Sequence, residues 1–302
     1  MNQPPPLPDI GSRVSLRYLR AAGSDPPMAD VIGHLLETGP RVRVRAADGA
    51  IHELRLADVL YVRRLTDRPV KNSAIRSVEH AAALAWPGAE QQWLDGWLLR
   101  AGPGPSLRAN SAVPLDMFAN LDAVPAIREW YADRGQPGRL AVPERLVRLP
   151  DDLPAECETR TMVGELSAGE VSEVVLCARP DTAWLDHYGR DLGVGVLSAV
   201  IGGDVVFASI PGAAVGRAAV TEAPDGTRWV GLSALQVAPD RRGRGHGRSI
   251  AAALLAWGGE HGATRSYVQV RGDDHAAFGF FESLGFAGQH RTRYLDARLV
   301  RP

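Results

Sequence analysis

Lysine is almost missing from this chain of 302 residues: Lys71 is the single one. A phosphate-binding P-loop, which needs Gly-Lys-Ser/Thr after its glycines, is therefore excluded. Cysteine is nearly as scarce. Cys157 and Cys177 stand far apart with no Cys-x-x-Cys, so neither a disulfide framework nor a zinc site is signalled. No His-Glu-x-x-His occurs, and no metal is expected. No apolar run approaches the ~18 residues that a membrane span requires. The proline-rich stretch from Met1 to Pro8 lacks the apolar core of a signal peptide. The default expectation is a cytoplasmic protein without membrane contact. The formal charge is −1, so no global field draws in nucleic acid.

What the chain does have is concentrated in one segment. The alternating run Trp229 to Val237 predicts a strand. Ile250, Leu254, Trp257 and His261 follow at helical spacing. Between them lie Pro239, Asp240 and the turn Arg241-Arg242-Gly243-Arg244-Gly245-His246-Gly247-Arg248-Ser249. Glycines at a strand-to-helix turn let the backbone approach a ligand closely. The first N–H groups of the new helix have no partners within it, and the helix dipole favours an anion there. Arg241, Arg242, Arg244 and Arg248 add positive charge. The turn asks for a phosphate or pyrophosphate. A dinucleotide fingerprint, Gly-x-Gly-x-x-Gly, fails because Arg248 stands where the third glycine belongs.

The remaining pattern, Arg242-x-x-Gly245-x-Gly247 with Val237-Ala238-Pro239 just upstream, resembles the coenzyme A pyrophosphate loop of the GNAT superfamily of N-acetyltransferases. The resemblance continues through Val270 to Phe286, which is similar to the family's next strand and helix and ends in Glu282-Ser283-Leu284-Gly285-Phe286. It implies an α+β GNAT fold, with a mixed, mostly antiparallel sheet flanked by helices. It also implies acetyl-CoA as acyl donor and an amine as acceptor. The residues it assigns to the coenzyme are Leu235, Gln236, Val237, Arg242, Gly243, Arg244, Gly245, His246, Gly247, Arg248, Ser249, Asp274, Ala277 and Phe281. Two of these depart from the family pattern. Asp274 replaces an Asn, and doubles as a natural helix N-cap. Phe281 replaces a Tyr that often reprotonates the thiolate, and phenylalanine donates no proton.

Three parts are expected. Residues 1–70 resemble a small SH3-like β-barrel, with strand-like runs at 14–18, 42–45 and 59–62 and a hairpin signal at Asp48-Gly49. Arg41, Arg43 and Arg45 share a strand face there. That face is either a solvated surface or a patch for nucleic acid or protein. Residues 72–150 resemble a degenerate GNAT-like lobe, with strands expected at 93–100 and 106–112 and a linker at 140–154. Residues 155–302 form the catalytic core. Its expected elements are a strand at 158–166, helices at 170–178 and 182–188, an extra strand at 194–201, and the meander 204–210, 215–221 and 229–237. Only sixteen residues follow Phe286, short for the family's last hairpin, so residues 95–112 are expected to complete the sheet.

The mechanism the resemblance implies is direct transfer, with the Val237 backbone N–H facing the thioester oxygen and a base taking the amine's proton. Many relatives keep a Glu six residues before that valine, where this chain has Gly231. The candidate base is Glu222, followed by Asp186 and His187; candidate acids are Tyr294, His290 and Tyr267. The other class of reading is an acyl-CoA-binding sensor with the barrel as effector. Nothing in the sequence sets the acceptor or the oligomeric state.

Overall fold

The computed structural model describes residues 7–8, 10–21, 23–46, 49–64, 70–150, 152–166 and 173–301. The chain divides into two units, Met1–Pro69 and Val70–Pro302.

The first unit is one five-stranded antiparallel sheet made of β1 (Arg13–Leu19), β2 (Met28–Glu37), β3 (Arg41–Ala46), β4 (Ile51–Arg55) and β5 (Val59–Arg64), in the order β4-β3-β2-β1-β5. Alternation builds it: Val14, Leu16, Val31, Leu35, Val42 and Val44 point to one buried face. The expected barrel is not closed. Among the described residues β4 and β5 form no ladder, and a one-turn helix, Leu56–Asp58, separates them. That turn is tied to the β2–β3 connection instead, by the Leu56 N–H donating to the Pro40 carbonyl. Asp48 of the hairpin signal lies outside the described residues. On β3, Arg41 and Arg43 both pair with Glu53, and Arg43 also with Glu37. This is the solvated-face reading of those arginines.

The second unit opens with α1 (Asn72–Ala85), a hairpin of β6 (Glu90–Leu94) and β7 (Trp97–Ala101), the short β8 (Val113–Pro114), α2 (Val124–Ala132) and β9 (Arg139–Pro143). Then come β10 (Cys157–Gly164), β11 (Val175–Cys177), α3 (Thr182–Tyr188), α4 (Val194–Ser198), β12 (Asp204–Ile210), β13 (Ala214–Glu222) and β14 (Arg228–Val237). The chain finishes with α5 (His246–Glu260), β15 (Arg265–Arg271), α6 (His275–Glu282) and β16 (Ala287–Asp296). An eight-stranded sheet, β11-β12-β13-β14-β15-β10-β16-β9, carries the unit. Only β14 and β15 pair in parallel. Residues of β13 are buried on both faces, as a strand covered by helices on each side must be. Ile250, Leu254 and Phe281 of α5 and α6 cover one face. Trp184, Tyr188 and Leu197 of α3 and α4, with the end of α1, cover the other.

Four expectations are corrected here. The last sheet position is taken not by 95–112 but by β9, which pairs with β16 from inside the expected linker. The strand expected at 106–112 is a loop ending in an isolated bridge from Ala112 to Leu140, and β6, β7 and β8 form a separate three-stranded sheet. Residues 194–198 are helical rather than a strand. The expected helix at 170–178 lies partly outside the described residues, and its end is the strand β11.

Candidate active site

The site begins where two strands part. β14 and β15 run in register from Trp229 and Arg265 to Leu232 and Val268, and then diverge. Ala234 on β14 has a left-handed backbone, φ 52°, at a break in the β13–β14 register. A bulge of this kind re-aims a strand and leaves ladder groups unpaired. Residues 233–237 therefore offer backbone groups to something other than β15. A cleft of about 1420 Å³, open to solvent, fills the gap. Leu235, Gln236, Asp274, Ala277, Phe281 and Tyr294 line it.

Beyond Val237 the chain makes a one-turn helix at Pro239–Arg241 and enters α5. Gly243 and Gly245 hold φ of 75° and 86°, the left-handed region that other residues enter at a cost. Gly245 is the N-cap, and no side chain caps the helix. The helix thus opens on unpaired N–H groups. Arg242 reaches back to the Val237 carbonyl at 3.5 Å, and Arg248 donates to Ser283 Oγ at 3.0 Å. Arg242, Gly243, Arg244, Gly245 and Arg248 are exposed, and His246, Gly247 and Ser249 half-buried.

Asp274 does cap α6: its Oδ1 accepts from the Ala277 N–H at 2.9 Å. Phe281 packs edge-on against Phe280 and Phe286 and borders the cleft. Tyr294 lies at the cleft wall, 3% exposed. Burial pushes its hydroxyl above the usual phenol range, against the opposing pull of Arg108 and Arg100. Glu222 is not brought to this place. It is exposed at the far end of β13, in register with Arg228 near the Asp225-Gly226 turn. Asp186 and His187 sit on α3 and do not line the cleft either.

The position of the absent strand carboxylate has a physical explanation. A methyl group on Gly231 would lie 2.2 Å from Cζ and Oη of Tyr267. The ring of Tyr267, buried against Val78, Ala82 and Trp229, already fills the space a side chain would need.

Several lining residues carried no motif. Arg108, from the loop before β8, donates to the Gln269 carbonyl at 2.6 Å, one residue past the last β14–β15 pair. Trp86, Leu107, Tyr188, Arg190, Asp191, Cys157 and Thr159 also line the cleft. Among the described residues no group of three or more His, Cys, Asp or Glu is placed to hold a metal. No helix there is long and apolar enough to cross a membrane.

Comparison with known proteins bears on this geometry. A family model described as "Probable histone acetyltransferase Rv0428c C-terminal" matches residues 72–295. A second, "Rv0428c N-terminal Sm-like domain", matches residues 8–63. The chain is 50% identical to the probable histone acetyltransferase Rv0428c of Mycobacterium tuberculosis, over 97% of each. It is 24% identical to the uncharacterized N-acetyltransferase YobR of Bacillus subtilis, over 72% of this chain and 98% of that protein. Among solved structures, a GCN5-related N-acetyltransferase from Kribbella flavida superposes with a TM-score of 0.53 at 14% identity, over 76% of this chain and 95% of that one. The last likeness is one of fold.

Proposed function

The chain belongs to the Rv0428c family of GNAT acetyltransferases, and on that premise we propose that the cleft between β14 and β15 transfers an acetyl group from acetyl-CoA directly to an amine. The observation that carries this reading is the join between an uncapped, arginine-flanked helix N-terminus and a splayed strand pair. The pyrophosphate belongs on the N–H groups of Arg244, Gly245, Gly247 and Arg248, with Arg242 beside it. The pantetheine arm lies in the gap beyond Leu232 and Val268 as a pseudo-strand along residues 235–237. Acetyl-CoA supplies an activated thioester carbonyl to this place. The Val237 N–H then faces the carbonyl oxygen as charge develops on it. Asp274 and Ala277 flank the arm, and Phe281 gives it an apolar wall. Arg108 holds the mouth of the gap open by engaging the β15 carbonyl that β14 has released.

The acceptor enters from the side of Trp86, Tyr188 and Asp191. The name of the 50%-identical relative supports a lysine side chain of a protein as acceptor. Thiol release from acetyl-CoA, measured across a lysine peptide, a polyamine and an amino sugar, tests both levels of the reading. A second measurement isolates the loop: Gly245→Val forces a β-branched residue to φ 86° and places its side chain at the helix mouth. Calorimetric affinity for CoA should drop at least tenfold. Wild-type affinity in a folded variant removes the loop from the site.

A further inference from the structure

Among the described residues Glu79 is the one buried carboxylate. It projects from α1, is 4% exposed, and accepts three hydrogen bonds on a single oxygen. Thr161 Oγ1 donates at 2.9 Å, Gln269 Nε2 at 3.1 Å, and His290 Nε2 lies at 2.9 Å, all on Oε1. The donors come from β10, β15 and β16, so the sheet is arranged around this carboxylate. Among the described residues Oε2 takes no hydrogen bond.

A small cavity adjoins it. Glu79, Arg100, Arg108, Gln269 and Tyr294 line this space, which admits about one water molecule. Arg108, Gln269 and Tyr294 also line the cleft. The buried carboxylate and the cleft are thus both bordered by Arg108, Gln269 and Tyr294. No carboxylate stands on β14, and Tyr267 blocks the place where one would go.

We propose that Glu79 receives the proton lost by the acceptor amine, through the Tyr294 hydroxyl and one water in the cavity. The inference rests on the acetyl-transfer reading above. The balance is simple. An ammonium acceptor loses two protons as its nitrogen–carbon bond forms and the carbon–sulfur bond breaks. One proton ends on the departing sulfur, and the net proton passes to Glu79 and returns to solvent by the same route once the products leave. Tyr294 accepts a proton from the amine as it hands its own to the water, and so never ionises. Burial of its ring fits that role, since it holds the hydroxyl protonated. For Glu79, burial works to raise the carboxyl, but the His290, Thr161 and Gln269 hydrogen bonds outweigh it and keep the group below the usual range. The charged and titratable neighbours around it are His290, Arg100, Arg108, Tyr267 and Tyr294. Glu79 acts through Tyr294 and does not touch the substrate, so it is a positioning and proton-holding residue.

The test uses the full chain and the panel amine with the fastest turnover. Glu79→Gln keeps an acceptor for His290 and removes the basic oxygen. The loss in kcat should be about 10²-fold or more, the scale of a positioned base, with acetyl-CoA affinity unchanged by calorimetry. The deficit should shrink as pH rises, because the amine then deprotonates in solution. Tyr294→Phe should lose a similar factor, and the double variant should be no slower than the worse single one. Loss that is independent of pH, or single losses that multiply, overturns the inference. So does a Glu79→Gln enzyme within threefold of wild type. If Glu79→Gln does not fold, Tyr294→Phe decides alone, and turnover within threefold with an unchanged pH profile sinks the proton route. A wild-type chain that releases no thiol with any amine refutes the acetyl-transfer reading instead.

Discussion

Gly231 should tolerate no side chain, and the consequence can be measured as a coupling. A methyl group there would stand 2.2 Å from Tyr267 Cζ and Oη and 2.6 Å from Cε1. Ordinary carbon contacts lie at ~3.5–4.0 Å, so the ring must retreat by more than about 1 Å. It has nowhere to go: Tyr267 is 4% exposed and stacks edge-on with Trp229, beside Val78 and Ala82 of α1. Overpacking of a filled core costs about 1–3 kcal/mol. For a unit of this size each kcal/mol lowers the melting temperature by about 2–4 °C, so Gly231→Ala should melt some ~2–12 °C below wild type. Tyr267→Ala alone should destabilise by about 3–5 kcal/mol, as large aromatic truncations do. In Gly231→Ala/Tyr267→Ala the new methyl meets empty space. The double variant should therefore be more stable than the sum of the singles by roughly the clash, ~1–3 kcal/mol, read from urea denaturation. A coupling below about 0.5 kcal/mol, the range found for independent sites, or a Gly231→Ala variant as stable as wild type, would refute the steric account of the missing strand carboxylate.

Three other expectations follow from the same geometry. Phe281→Tyr should change turnover little and lose some stability, because Phe281 is packed between Phe280 and Phe286 and Tyr294 already supplies a hydroxyl; a rise of ~10²-fold, the scale of a positioned acid, would show that thiolate protonation limits the enzyme. Asp274→Ala should destabilise by about 0.5–2 kcal/mol through loss of the α6 cap while Asp274→Asn keeps it, and an acetyl-CoA affinity that falls in Ala but not in Asn would place the side chain on the coenzyme as well. A chain starting at Val70 should fold and bind acetyl-CoA, since the second unit contains every cleft residue; a folded truncation without binding would assign part of the site to the first unit.

The legible parts of this molecule are those written in local backbone chemistry. The glycine- and arginine-rich turn, α5, the meander and the Asp274 cap depend on neighbours within a few residues, and each element stands where the spacing puts it. What escaped depends on distant partners. β9 looks like linker because Pro143 and charged residues flank a short apolar run, and its ladder partner β16 lies about 150 residues later. Residues 194–198 look strand-like from their valines, yet they close a helical turn that buries Val196 and Leu197. Glu79 reads as one polar position on an amphipathic helix. Its meaning comes from donors 82, 190 and 211 residues away. The departure at Gly231 was visible, but its cause, a tyrosine from the neighbouring strand, was not.

The same long-range logic explains why the residues before β10 cannot be a passive attachment. Arg217 is completely buried on β13, and burial pushes its guanidinium down to about 10, still charged at neutral pH. Among the described residues no carboxylate pairs with it. Its donors go to the Ala85 carbonyl at the end of α1 and to the Leu197 and Ala199 carbonyls at the end of α4. Trp86 lies 4.2 Å beneath its plane. Carbonyls at helix ends are the orphan acceptors of the helix and carry its negative partial charge, so two helix ends together offset the desolvation of one cation. Only a planar fork with five donors can meet three such carbonyls and stack on an indole at once, which a lysine in the same place could not do. Arg217 also reaches Ser233 Oγ at 3.4 Å, directly before the Ala234 bulge that parts β14 from β15. One buried arginine therefore binds the end of α1, the Trp86 side of the cleft and the β14 strand distortion into a single frame. Loosening α1 would move both halves of the cleft, and with them Glu79.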